Sequence, residues 1–245
     1  MKFLQRFYPE CLAGGFTRHD GSAQFFLRVN ALLEPGMTVV DLGAGRGAFS
    51  DSDIVMNRKL ATLKGKVREV IGIDIDPAVM ENPSLDRALV YDGVTIPLPD
   101  NSVDMIVSDH VFEHVTDPER FVAEMDRILK PGGWVCARTP YIISLVVMGA
   151  SLVPNRMHSR ALRKSQPSRE SFDVFPTVYK LNSFSRLKRH FPPSHWDNAS
   201  YNFSPEPAYH FNNPWIFRAM LVYDAIKRPL LGGEVLMVFM RKKAV

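Results

Sequence analysis

The strongest constraint on how this chain can fold is the stretch Val40-Asp41-Leu42-Gly43-Ala44-Gly45-Arg46-Gly47, an apolar run closed by a carboxylate and three glycines at alternate positions. A Val/Leu run ending in a Gly-rich turn, ahead of a segment able to open a helix, brings backbone close to a nucleoside-bearing ligand. From Gly43 through Gly45 to Ala48 the turn also satisfies the G-x-G-x-x-G/A spacing of dinucleotide-binding folds, in which a helix N-terminus faces a pyrophosphate. Two features point elsewhere: Asp41 stands directly before the glycines, and Gly47 comes one position early. A carboxylate there suits a ligand with a positive end and repels a pyrophosphate.

Similar punctuation recurs downstream. Val70 to Asp76 is a strand-like run that ends in acids before Pro77. A carboxylate at the tip of a second parallel strand can accept hydrogen bonds from both ribose hydroxyls of an adenosine group, with Asp74 the first candidate and Asp76 the second. Tyr91-Asp92-Gly93 precedes a Pro-rich turn, and the short side chain of Asp92 suits an adenine amino group. Val103 to Ser108 is another buried-strand run. Phe121 to Lys130 has amphipathic-helix spacing, Pro131-Gly132-Gly133 stops it, and Trp134-Val135-Cys136-Ala137 opens a further strand.

On these residues the chain resembles the class I S-adenosylmethionine-dependent methyltransferases of small-molecule type. The resemblance rests on DLGAGRG at 41–47, GIDIDP at 72–77, LPDNSVDMIVSDHVFEHVTDP at 98–118 and LKPGGW at 129–134, four motifs in order across residues 36–139. It implies an α/β fold: a Rossmann-like, doubly wound, seven-stranded sheet with an antiparallel last strand, plus helical insertions after strands 5 and 6. It further implies S-adenosyl-L-methionine as cofactor. Asp41, Gly43, Ala44, Gly45 and Gly47 would hold its methionine part, Asp74 its ribose, Asp92 and Gly93 its adenine, with Ile75 a further cofactor contact and His110 or a neighbour at the reacting face. The 26 residues between Gly47 and Asp74 leave room for a longer first crossover.

A chain of 245 residues that is 46% hydrophobic can bury one large core. Residues 1–245 therefore read as a single domain, with lid or substrate insertions at 140–180 and 204–233. Ser22 is placed to cap a helix running to Leu33. Asn182 to His190 reads as a crossover helix, and the last strands fall near 195–203 and 234–241. Cys11 and Cys136 lie far apart in unlike contexts, which supports neither a metal site nor a disulfide framework, and Cys136 reads as a buried strand residue. Lys2, Arg6 and Pro9 interrupt the N-terminus, so it lacks the apolar core of a signal peptide, and a reduced, cytoplasmic setting is expected.

The net charge of +4 is unevenly placed: residues 155–190 hold nine Lys or Arg against Glu170 and Asp173. Such a segment suits an anionic acceptor or an anionic lipid surface on the inner membrane face, and a solvated face is the plainer reading. Just before it, Ile142 to Val153 is apolar, but its twelve residues fall short of the about 20 that span a bilayer. It reads as a buried lid helix or a shallow interfacial one. Residues 214–231 set Trp215, Phe217, Met220, Leu221, Tyr223, Ile226 and Leu230 against Arg218, Lys227 and Arg228, a pattern of core packing against the sheet or of a second interfacial contact.

Asp173 to Asn182 resembles a segment of methyltransferases of bacterial polysaccharide and glycolipid biosynthesis. Carboxylate and amide groups there suit sugar hydroxyls, and Tyr179 suits the face of a sugar ring. A sulfonium methyl is already activated, so the protein must align the acceptor and take a proton if that acceptor is a hydroxyl. His110, Glu113 and His114 follow a strand whose C-terminal end faces the cofactor. His110, nearest the tip, is the first candidate base, and His158 in the basic insertion is the second. Glu113 and His114 match a recurrent family pattern that also serves helix packing, and His114 is placed on the substrate side.

The reading that emerges is O-methylation of a sugar or glycolipid hydroxyl. Its alternatives are a methyltransferase for a small soluble anionic metabolite, or a non-catalytic or NAD-binding relative. Nucleic acid is disfavoured as a partner, because Asp109-His110-Val111-Phe112 stands where an Asn-Pro-Pro-Tyr-type tetrapeptide would be and phosphate attraction alone is sequence-blind.

Overall fold

A computed structural model describes residues 2–47, 49–50, 52–144, 176–208 and 210–244. Five strands run parallel: β1 (Thr38–Leu42), β2 (Glu69–Asp74), β3 (Arg87–Val90), β4 (Val103–Asp109) and β5 (Leu129–Pro140), in the spatial order β3-β2-β1-β4-β5. Two short strands, β6 (Trp196–Asn198) and β7 (Tyr201–Phe203), both pair antiparallel with the last strand, β8 (Val235–Lys242), which itself lies antiparallel against β5. Eight strands thus fill seven positions, because β6 and β7 are one edge broken at Ala199-Ser200. There the Phe239 amide donates to Ser200 Oγ at 3.0 Å, a side chain taking the place of a ladder carbonyl.

The α-helices among the described residues are α1 (Gly21–Ala31), α2 (Val55–Ala61), α3 (Pro118–Ile128), α4 (Phe184–His190) and α5 (Pro214–Leu231). Strand alternation sends Val40, Leu42, Ile71 and Ile106 to one face, where they meet Val122, Met125 and Ile128 of α3 and Leu187 of α4. Val39, Val70, Met105, Val107 and Cys136 face the other way and meet Phe25, Phe26 and Val29 of α1. Burial on both faces explains why the strands are apolar throughout. The same alternation puts Asp41, Asp109 and Arg138 on the α1 side of the sheet, one beyond each last apolar residue.

Several local expectations need correcting. Asp20, not Ser22, caps α1, accepting from the Ala23 amide at 2.8 Å, and the helix ends at Ala31. No helix opens directly from the glycine turn, since α2 starts at Val55. Pro131-Gly132-Gly133 does not separate a helix from a strand. β5 begins at Leu129, and these residues bulge out where the register jumps from Val103↔Leu129 to Met105↔Trp134. A Cβ on Gly133 would stand 2.8 Å from the Asp104 carbonyl oxygen, so the bulge requires glycine. Helix α5 packs its Phe217 and Leu221 not on the sheet but on Phe3, Phe7, Tyr8 and Cys11 of the N-terminal turns. The Ile142–Val153 run beyond residue 144 and the basic insertion up to residue 175 lie outside the described residues.

Candidate active site

The C-terminal ends of β1, β2 and β4 bring Asp41, Asp74 and Asp109 to one crevice, with Asp41 in register with Gly72 and Val107. The glycine turn folds over toward β2 by three bonds: the Gly43 and Ala44 amides donate to the Ile73 carbonyl at 2.7 and 3.4 Å, and Gly45 N–H donates to Asp74 Oδ2 at 2.8 Å. Asp74 Oδ1 accepts from the Asp76 amide at 2.9 Å. A carboxylate offers about four acceptor positions, so about half of its capacity remains for a ligand. Asp76 instead caps the turn Pro77–Glu81 through the Ala78 amide at 2.9 Å.

The three glycines differ in what requires them. A Cβ on Gly43 would lie 2.2 Å from Val111 Cγ2, and one on Gly47 would lie 2.5 Å from Asn82 Oδ1, while one on Gly45 would meet nothing within 4 Å. Gly43 and Gly47 are therefore needed by the fold, whereas the space above Gly45 is open. Asn82, which no local motif marks, donates to the carbonyls of Ala44 at 3.1 Å and Gly45 at 3.2 Å and holds the turn in place.

Arg138 was also missed. Its Nε and Nη2 each lie 2.7 Å from one oxygen of Asp109, a bidentate pair, and Nη1 donates to Ser22 Oγ at 2.8 Å. Burial alone would raise the Asp109 carboxyl, but the Arg138 charge and hydrogen bonds outweigh it and hold it low. Asp41 has no such partner among the described residues. Burial, then the charges of Asp109 and Asp74, push it up to about 7. The crevice thus holds a carboxylate whose charge nothing in the described protein compensates, which fits a ligand that arrives with a cation.

Farther along, Ile75 is exposed and Gly93 faces it, a Cβ there standing 3.4 Å from Ile75 Cγ2. Exposed Asp92 accepts from the Thr95 and Val94 amides at 2.8 Å each, bonds that hold its carboxyl below the usual range.

At the tip of β4, His110 adopts φ +59°, a left-handed conformation uncommon outside glycine. Its Nδ1 lies 3.1 Å from Oε1 of buried Glu113, whose Oε2 accepts from Thr139 Oγ1 at 2.7 Å. The Glu113 carbonyl accepts from the amides of Val178 at 2.8 Å and Tyr179 at 3.0 Å, and His114 Nδ1 lies 3.0 Å from the Pro176 carbonyl. The backbone of residues 176–179 therefore lies against the turn of Glu113 and His114 that follows His110. Ala48, His158 and Asp173 fall outside the described residues.

A profile for a family described as a methyltransferase domain matches residues 40–137, from β1 into β5. The part of the chain that folds the glycine turn, Asp74 and His110 is therefore similar to methyltransferase domains. A probable S-adenosylmethionine-dependent methyltransferase of Mycolicibacterium smegmatis is 32% identical over 135 residues, covering 54% of this chain and 48% of the relative. A malonyl-[acyl-carrier protein] O-methyltransferase of Coxiella burnetii is 29% identical over 135 residues, covering 54% of this chain and 42% of its own length. The chain thus spans about half the length of these relatives. Among solved structures, a Haloferax volcanii protein in complex with the Trm112 methyltransferase activator superposes with a TM-score of 0.56 at 22% identity, covering 93% of this chain and 91% of that one. A SAM-dependent methyltransferase from Aquifex aeolicus gives 0.51 at 16% identity, covering 98% and 96%. At those identities the likeness concerns the fold of the methyltransferase domain.

Proposed function

We propose that the protein transfers the methyl group of S-adenosylmethionine to a hydroxyl of a sugar or glycolipid. The observation that carries the cofactor half is the uncompensated Asp41 carboxylate beside the open space over Gly45. When bound, the cofactor supplies a methyl group on a positively charged sulfur, already activated for displacement. Asp41 and the turn of Gly43, Ala44, Gly45 and Gly47 receive the methionine end, whose ammonium and sulfonium answer the crevice's negative charge. The free acceptor positions of Asp74 take the ribose hydroxyls. Ile75 and Gly93 flank the adenine ring, with Asp92 toward its amino group.

On the acceptor side, His110 takes the hydroxyl proton while His114 and Tyr179 border the sugar. Asp173 and His158 extend this reading as a further hydroxyl contact and a second base. The bonds of Glu113 to the His110 ring and to the Val178 and Tyr179 amides support it. Incubation with methyl-labelled S-adenosylmethionine and an extract of the host tests it, by asking which fraction takes up label. Label in glycolipid or polysaccharide is expected. Label confined to small anionic metabolites would replace the acceptor, and binding of NAD in place of S-adenosylmethionine would overturn the cofactor.

A second reading concerns location. Trp215, Val222, Ile226 and Leu230 stand on one face of α5 at 75%, 59%, 66% and 80% exposure, and the Arg218 guanidinium lies 5.3 Å from the centre of the Trp215 ring. No helix among the described residues is long and apolar enough to cross a membrane. An exposed apolar stripe with Arg218 at its edge suits the interface of an anionic bilayer, where a glycolipid acceptor would reside. Co-sedimentation with anionic vesicles should be strong at low salt and fall on Ile226→Ser, and absence of binding at low salt would remove this reading.

A further inference from the structure

The residue assigned above as base is held in place by a chain of contacts that a solvated surface histidine does not need. Its ring is half-exposed, yet its backbone is fixed by the left-handed φ and by donation of His110 N–H to the Arg138 carbonyl at 2.8 Å. Its Nδ1 meets Glu113, which is 5% exposed. Glu113 is gripped by the hydroxyl of fully buried Thr139, and Thr139 Oγ1 accepts at 2.7 Å from Nδ2 of Asn182, which also donates to the Pro140 carbonyl at 2.8 Å. Asn182 Oδ1 is buried and has no partner among the described residues, so within them this amide is held by its donors alone.

We infer that Glu113, anchored through Thr139 and Asn182, is a positioning residue that fixes both the ring orientation and the tautomer of His110. An ionised carboxylate only accepts hydrogen bonds, so a neutral ring facing it must carry its proton on Nδ1. Nε2 is then left with its lone pair. Among the described residues the carboxylate beside Nε2 is Asp109, with Oδ1 at 3.9 Å, beyond hydrogen-bond reach, and no hydrogen-bond donor meets that nitrogen. Burial would raise the Glu113 carboxyl, but its contacts, the His110 hydrogen bond foremost, more than offset it and hold it below the usual range.

In the transfer step the acceptor O–H bond breaks and its proton goes to Nε2, while the acceptor oxygen forms the new bond to the methyl carbon. The electron pair of the C–S bond stays on sulfur. One positive charge therefore leaves the sulfur and appears on the imidazole, 3.1 Å from the Glu113 oxygen. Glu113 serves that step in the same sense as the carboxylate of a hydrolase triad serves its histidine.

This inference rests on the proposed role of His110 in methyl transfer, but its first test does not. Protein with 15N-labelled histidine rings, observed by NMR at alkaline pH where the rings are neutral, reports which ring nitrogen bears hydrogen, with the His110 signals assigned by their loss in His110→Asn. The wild type should show hydrogen on Nδ1; hydrogen on Nε2 would overturn the inference without any further variant. In Glu113→Gln the carbonyl oxygen keeps the Thr139 hydroxyl, the amide NH2 turns to Nδ1, and the tautomer should reverse. An unchanged tautomer there would also overturn it.

With the acceptor found by labelling, kcat of Glu113→Gln should fall on the order of 10²-fold or more while calorimetric affinity for S-adenosylmethionine holds. Glu113→Asp should restore part of the rate. A reversed tautomer with undiminished kcat would uphold Glu113 as the residue that positions the ring and would remove His110 as the base.

Discussion

Asp41 is half-protonated near neutrality in the ligand-free protein, and a cationic ligand should drive that proton off. The carboxyl stands at about 7 because it is buried beside Asp109 and Asp74. An ammonium or sulfonium in the crevice favours the charged form and returns it toward the ordinary range. Below pH 7 the ligand must then displace a proton, so the apparent dissociation constant grows with acidity. The linkage gives about a twofold loss of affinity at pH 7 and about an 11-fold loss at pH 6, or about 1.4 kcal/mol, relative to the alkaline limit. The α-amino group of the ligand titrates near 8 and stays charged below about pH 7, so it adds little to this slope.

Titration calorimetry in buffers of different ionisation heat counts the protons directly: about 0.9 released at pH 6 and about 0.5 at pH 7. In Asp41→Asn the affinity should be weaker and flat with pH. A flat wild-type profile between pH 5.5 and 7, or an Asp41→Asn variant that keeps the slope, would refute the reasoning. The sign for stability follows from the same raised value. The native ligand-free protein holds a proton that the unfolded chain has lost, so stability present below about pH 4 is surrendered as pH rises through 7, on the order of 4 kcal/mol at most. Removing the carboxylate should flatten that decline, read as the difference in Tm between the wild type and Asp41→Asn across pH 5 to 8.

Other residues give equally specific expectations. Gly45→Val should leave a folded protein, at a cost of about 1–2 kcal/mol for its left-handed backbone, yet abolish cofactor binding, since its side chain enters space that only a ligand would fill; calorimetry with unaltered affinity would refute this. Asp74→Ala should cost about 1–3 kcal/mol of cofactor binding through lost ribose hydrogen bonds. Retained affinity there, with loss in Asp76→Ala, would transfer the role. Arg138→Met strands the buried Asp109 charge and should destabilise the fold by about 3–5 kcal/mol, measured by urea unfolding; an effect under about 1 kcal/mol would mean that Asp109 finds another partner.

What could be read from the sequence was local. The glycines and acids at 41–47 and 72–77 are adjacent to the strands that present them, so strand type, turn and candidate ligand followed from short spacings. Long-range partners left no such mark. Asp109 meets Arg138 29 residues later, and Asn82 supports a turn 37 to 38 residues before it. The α1 cap was ambiguous because Asp20 and Ser22 are both competent, and the choice is settled by Arg138, 116 residues away, which engages the Ser22 hydroxyl. Helix α5 is apolar on two faces, so its pattern could not say which face turns inward, and the answer depends on the aromatic N-terminal turns. His110 was picked out by its place at a strand tip, but the buried Glu113-Thr139-Asn182 support joins three separate segments that only the fold brings together.

The most direct measurement of the central claim is a crystal structure of the protein soaked with S-adenosylhomocysteine, the demethylated product. The nucleoside should lie across the ends of β1 and β2, its ribose hydroxyls on Asp74 and its ammonium toward Asp41. A crevice that stays empty under saturating ligand, or that accepts the pyrophosphate of a dinucleotide over Gly45 instead, would contradict the account.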